Sequence, residues 1–133
     1  MKRLIGFTVI LVALLISGSA FAKGFPFELN GKKYEAAPQD VDGFYTFAGA
    51  KAACYGLVDP DDYNDDWFLP SKDELNAMYE HLHKKGDGGF AYNLYWSSTE
   101  KNAYYAWSQY FYYGFQAPND KERETRVRCV RAL

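Results

Sequence analysis

The stretch "DDWFLPSKDEL", residues 65–75, decides how this chain is read. Two acids and a tryptophan run into Leu69-Pro70-Ser71, and a helical pattern follows. A reactive loop needs a nucleophile beside a base, or ligands converging on a metal. A scaffold needs buried residues in alternation and a helix start. Ser71 fits the second use, because its hydroxyl can accept an orphan backbone N–H of the first helical turn. Glu74, three residues on, completes a capping box. Asp73 and Glu74 also suit the positive end of the helix dipole. Trp67 and Leu69 alternate as inward side chains, Pro70 fixes the entry to the helix, and Asp66 is placed to bond nearby backbone. The stretch reads as a structural joint, not a catalytic loop.

Working outward, Leu75, Met78, Tyr79 and Leu82 stand at i, i+3, i+4 and i+7 and predict a helix. Gly86 is its expected stop, after Lys84 and Lys85. His81 and His83 point apart on such a helix and cannot share a metal there. On the other side, Asp59 to Asp66 holds five aspartates. Asp59, Asp61, Asp62 and Asp65 offer the hard oxygens that calcium takes, which leaves a calcium site as the alternative. Tyr63 stands where an EF-hand loop wants Asp or Asn, so a solvated acidic loop is the preferred reading, with no metal and no cofactor expected. Phe44 to Leu57 reads as a first helix, with Phe47, Ala50, Ala53, Cys54 and Leu57 on its apolar stripe. Phe27 to Glu35 reads as a β-hairpin, because Asn30-Gly31 supplies the two positive-φ positions of a type I′ turn.

The C-terminal half reads as β structure. Tyr95 to Thr99, with Trp96, is short and extended, and its hydroxyls carry no nucleophile-elbow glycines. Ala103 to Tyr113 alternates: Tyr105, Trp107, Gln109 and Phe111 share one face; Tyr104, Ser108, Tyr110 and Tyr112 share the other. Trp107 with Phe111 is the expected core face. Tyr104, Tyr110 and Tyr112 would then face outward, where flat rings with wet hydroxyls suit recognition of a sugar or a partner side chain. The alternative is that a helix or loop covers this face as well. Arg126 to Arg131 reads as the last strand. Arg126 and Arg128 share one of its faces and could fork onto sulfate or carboxylate; internal pairing with the acidic loop, or a plain solvated face, is the preferred alternative.

Composition bounds the rest. The chain has 133 residues and a formal net charge of −2. Lys2 and Arg3, an apolar run from Leu4 to Ile16, and Ala20-Phe21-Ala22 make residues 1–22 a secretory signal peptide. The apolar run is too short to span a bilayer comfortably, so no membrane span is expected after cleavage. That leaves residues 23–133 as one domain with a net charge of −4, a poor nucleic-acid binder. Export, to the periplasm or beyond the cell, favours a disulfide between Cys54 and Cys129, against two separate buried thiols.

"DWFLPSKDELNAMY" (66–79), "YWSSTE" (95–100), "AW" followed by Phe111 and Gly114, and "VRCVR" (127–131) occur in the order found in the Lcl C-terminal domain family, which the chain resembles over roughly residues 31–133. The resemblance implies a fold related to C-type lectin-like domains, with a helix near the N-terminus tied by disulfide to the last strand. The family's collagen-like adhesins bind sulfated polysaccharides and work as trimers; the resemblance implies the first as an expectation and does not carry trimerisation over. This sequence has Phe68 where the family usually has arginine, and it contains no Gly-X-Y stem. A more distant resemblance, to formylglycine-generating enzymes with a similar "RLPTEAEW" stretch, carries no activity over, since that chemistry needs available cysteines. The expectation is an α+β, C-type lectin-like domain, two helices packed on a twisted antiparallel sheet. It would be non-enzymatic and recognise a glycan, with an envelope protein or a second copy of the chain as the other partner.

Overall fold

The computed structural model describes residues 23–58 and 66–133. The expected signal peptide (1–22) and Asp59, Asp61, Asp62 and Asp65 lie outside the described residues.

Strands β1 (Phe25–Leu29) and β2 (Lys32–Ala36) form the expected antiparallel hairpin, with Phe27 opposite Tyr34. Asn30 (φ 52°) and Gly31 (φ 79°) adopt the left-handed pair its turn requires. The first helix, α1, spans Phe47–Tyr55, within the expected Phe44 to Leu57; it starts at the first residue of its apolar stripe. Tyr45 is diverted into a bridge with Thr125, each accepting the other's N–H at 2.9 Å. Thr46 therefore becomes the cap, accepting from the Gly49 N–H at 3.2 Å. The second helix, α2, spans Lys72–His81 and carries both halves of the capping box. The Ser71 N–H donates to Glu74 Oε1 at 2.8 Å, and the Glu74 N–H to Ser71 Oγ at 3.1 Å. A 3-10 turn, His83–Lys85, follows; Gly86 (φ 82°) ends that turn and not the α-helix.

Strands β3 (Leu94–Glu100), β4 (Tyr105–Tyr110) and β5 (Gln116–Asp120) form one antiparallel sheet in that order. Strand β6 (Val130–Ala132) joins the other, in the order β1-β2-β6. The single sheet expected from the sequence is thus two three-stranded sheets. The helices also lie on opposite faces of β3-β4-β5. Gln109 and Gln116 reach α2, donating to Asn76 Oδ1 at 2.9 Å and to the Lys72 carbonyl at 2.8 Å. On the other face, Trp96 meets Phe47 of α1 edge-on, ring centroids 5.6 Å apart.

Two cores result. One gathers Leu75, Met78 and Leu82 with Tyr95, Phe111 and the hairpin's Phe27 and Tyr34. The other gathers Phe47, Ala50 and Cys54 with Trp67, Leu69, Trp96 and Val127. Because both faces of β4 are covered, the face assignment read from alternation needs correction. Ala106 and Ser108 are buried, and so are Gln109 and Phe111 on the opposite face. Trp107 is half-buried, not core, with the Lys72 ammonium 3.7 Å from its ring centroid.

The last strand is also shorter than the expected Arg126 to Arg131. Residues 125–130 instead run through isolated bridges, Thr125 to Tyr45, Arg126 to Tyr95 and Val130 to Phe68. Phe68 and Val130 exchange backbone bonds of 2.8 and 2.9 Å, which fastens the 65–75 stretch to the C-terminal segment. Cys54 and Cys129 are bonded, their Cα atoms 5.4 Å apart. The sulfur link joins α1 to the residue just before β6.

Candidate functional site: an exposed aromatic array

The β4–β5 turn is built on Gly114. Its φ of 94° lies where side chains are disfavoured, and a Cβ there would stand 2.6 Å from the Tyr79 ring. The turn is thus pressed flat against α2. Its N–H donates to the Tyr110 carbonyl at 2.6 Å, and the Tyr110 N–H to the Phe115 carbonyl at 3.0 Å. With Gly114 tucked in, Tyr112, Tyr113 and Phe115 are thrown outward, at 57, 70 and 53 % exposure. Tyr92, ahead of β3, joins them at 71 %.

These rings touch in sequence. Centroids are 5.7 Å apart for Tyr92–Tyr112, 4.5 Å for Tyr112–Tyr113 and 6.2 Å for Tyr113–Phe115. Half-buried Tyr110 lies 5.4 Å from Phe115 and 6.3 Å from Tyr113. The array rests on the core through His83, whose ring is 5.1 Å from Tyr92 and 5.2 Å from Phe111. His83 Nε2 sits 2.8 Å from the Phe111 carbonyl oxygen, which pins the imidazole. The stretches that carry the rings, 88–99 and 110–118, contain no charged residue. Among the described residues, no protein group hydrogen-bonds the hydroxyls of Tyr92, Tyr110, Tyr112 or Tyr113.

The residues singled out from the sequence do not converge. Tyr110 and Tyr112 belong to the array. Tyr104 is exposed but precedes β4, roughly 20 Å from Tyr110 at the rise of an extended strand. Arg126 is half-buried, its guanidinium 4.6 Å from the centroid of Phe44. Arg128 is 1 % exposed, so it shares no open face with Arg126. Its Nε donates to Asp40 Oδ1 at 2.8 Å, and its other nitrogens to the carbonyls of Ala37, Gly88 and Gly89 at 3.0, 2.8 and 3.3 Å. Tyr95 closes this network, donating to Asp40 Oδ2 and accepting from the Ala91 N–H, both at 2.8 Å. Burial, then the Asp40 carboxylate, pushes the Tyr95 phenol well above the ordinary tyrosine value.

Sequence reading missed Tyr92, Tyr113 and Phe115. The signal was the run of aromatics around Gly114, "YFYYGF" (110–115). Strand alternation obscured it, because the array belongs to a turn.

Two other surfaces have chemistry. Trp107 carries the ammonium groups of Lys72 and Lys101, 3.7 and 5.7 Å from its centroid, and no carboxylate pairs with either lysine among the described residues. A groove of about 490 Å³ lies between α1 and residues 67–69, with Lys51, Tyr55, Phe68 and Ser98 on its walls. The joint residues hold their structural places: Trp67 and Leu69 are buried, and Asp66 sits 3.8 Å from Arg131. The Ser98 N–H donates to the Pro70 carbonyl at 2.8 Å, and Thr99 Oγ1 accepts from the Lys72 N–H at 2.9 Å, fixing the start of α2 against β3.

No helix among the described residues is long and apolar enough to cross a membrane. Comparison with curated proteins finds no match. The profile of the Lcl C-terminal domain, in contrast, matches residues 30–131, which contain the joint, both cysteines and every ring of the array. The chain belongs to the Lcl C-terminal domain family.

Proposed function

We propose that this protein is an exported, non-enzymatic recognition module that binds a glycan across Tyr92, Tyr110, Tyr112, Tyr113 and Phe115. The array carries the reading. A contiguous exposed aromatic patch marks an interaction surface, and the negative π face of each ring meets the polarised C–H face of a sugar. The uncommitted hydroxyls add hydrogen bonds at the rim.

Export is supported by the N-terminal sequence and by the Cys54–Cys129 bond, which suits an oxidising compartment. The C-type lectin-like reading draws support from that same link between an early helix and the end of the chain. A non-enzymatic role is supported by how the reactive groups are used: Ser71 Oγ caps α2, Ser97 Oγ donates to the Trp107 carbonyl at 2.6 Å, and His83 is pinned to Phe111. Anionic substituents on a glycan would meet Lys72 and Lys101 beside Trp107; Arg128 is engaged internally.

The test is a glycan array probed with wild type, Tyr112→Ala and Tyr113→Ala. Both side chains are exposed, so both variants should fold. Loss of one stacking ring weakens binding about tenfold, the equivalent of about 1.4 kcal/mol. Unchanged binding in both variants would move the glycan site off these rings; no binding to any glycan, with a stable oligomer that buries them, would replace the glycan reading with an assembly interface.

A further inference from the structure

We infer that the array takes a single, soluble chain of neutral, β-linked pyranoses, of the glucose or N-acetylglucosamine kind, and not a terminal sugar or a crystalline surface. The inference rests on the glycan reading and names its ligand class.

Three observations carry it. The first is charge. Neither stretch supplying the rings has a charged side chain, so the residues that carry the array offer an acidic sugar no ion pair in return for its lost hydration.

The second is extent. The rings follow one another from Tyr92 through Tyr112 and Tyr113 to Phe115 at centroid steps of 5.7, 4.5 and 6.2 Å. One pyranose covers about one ring, so a terminal sugar would leave most of the array in water. The outer rings stand more than half exposed and form no enclosing wall. Enclosure is what end-on recognition of a small ligand uses.

The third is tilt. The planes of Tyr92 and Tyr112 differ by 51°, and those of Tyr112 and Tyr113 by 66°. Only Tyr113 and Phe115 are near parallel, at 20°. A flat crystalline face cannot lie on all four rings at once. A single chain rotates about its glycosidic bonds and presents each sugar to a differently tilted ring. A β-linked chain with equatorial substituents exposes C–H bonds on both faces of every unit, so successive units can stack whichever way they turn. Each further contact is then intramolecular, and affinity climbs with chain length until the rings are covered.

Calorimetric titration with cellulose-derived and chitin-derived oligosaccharides, from single sugar to hexamer, tests this, alongside pelleting with crystalline cellulose and chitin. In at least one series affinity should rise about tenfold or more between the dimer and the longest chains, then level off. Phe115→Ala should lower the plateau, and Tyr104→Ala, at the far end of β4, should leave it unchanged. A single sugar that binds as tightly as the hexamer overturns the inference and leaves the glycan reading standing. So does binding to crystalline polymer without binding to soluble chains. Failure of all these sugars, with hits on the glycan array confined to charged glycans, overturns the neutral class alone; failure of every glycan overturns both.

Discussion

The guanidinium of Arg128 is the mortar between three segments that are far apart in sequence. It joins Asp40, the Ala37 carbonyl and the Gly88–Gly89 carbonyls, with Phe90 packed 4.2 Å from its carbon centre. Its charge is fully desolvated, so the worth of each bond depends on the others being made. Arg128→Leu leaves Asp40 without its cation, and the expected cost is about 3–5 kcal/mol; urea unfolding of the purified variant measures it. Tyr95 in the same network sets an alkaline limit. Its phenol is raised in the folded protein above the ordinary 10.0 of a free tyrosine. The folded state therefore holds the proton more tightly than the unfolded chain does. Its contribution is fully present below pH 10.0 and is lost as pH rises further. Thermal midpoints taken up an alkaline series should fall beyond that point, and Tyr95→Phe should flatten the fall. None of this was legible in "VRCVR" (127–131). Arg126 and Arg128 look equivalent two residues apart, and only distant residues distinguish them, by closing over one and leaving the other half open.

At the scale of elements, legibility followed locality. The hairpin turn at Asn30-Gly31 and the capping box at Ser71 are set by residues within three positions of each other, and both formed as the sequence indicated. Ser71→Ala removes the hydroxyl that accepts the Glu74 N–H, and a loss of about 1 kcal/mol is expected. Chemical denaturation reads this, and Ser71→Asp should restore most of it. Elements whose limits depend on distant partners were misjudged. Helix α1 begins at Phe47 and not at Phe44 because Thr125 claims Tyr45. Strand β4 gave a clean alternation that pointed to one core face where both are covered, because alternation identifies a face only when the other is wet. Here α1 and α2 cover one face each. The aromatic array was half visible: Tyr110 and Tyr112 were singled out as strand residues, whereas a glycine turn against Tyr79 supplies the rest of the surface.

At the scale of the whole molecule, the sulfur bond is the longest-range constraint foreseen from the sequence, since export and two cysteines were enough to suggest it. It closes a loop with a sequence separation of 75. The double variant Cys54→Ala/Cys129→Ala should lose up to about 4 kcal/mol by the chain-entropy argument, read as a lower thermal midpoint with the fold retained on cooling. The layering was not foreseen. A chain of this length gives no local sign that its strands will divide into two sheets and its helices part to opposite sides. The same bond also decides how the molecule bears a pull. Tension applied at the two ends runs from the hairpin through α1 to Cys54, crosses the sulfurs, and leaves by way of Cys129 and β6. Tyr92 to Phe115 hang beside the loaded path, so a tug on the chain is borne by the sulfurs and not along the segment that holds the rings.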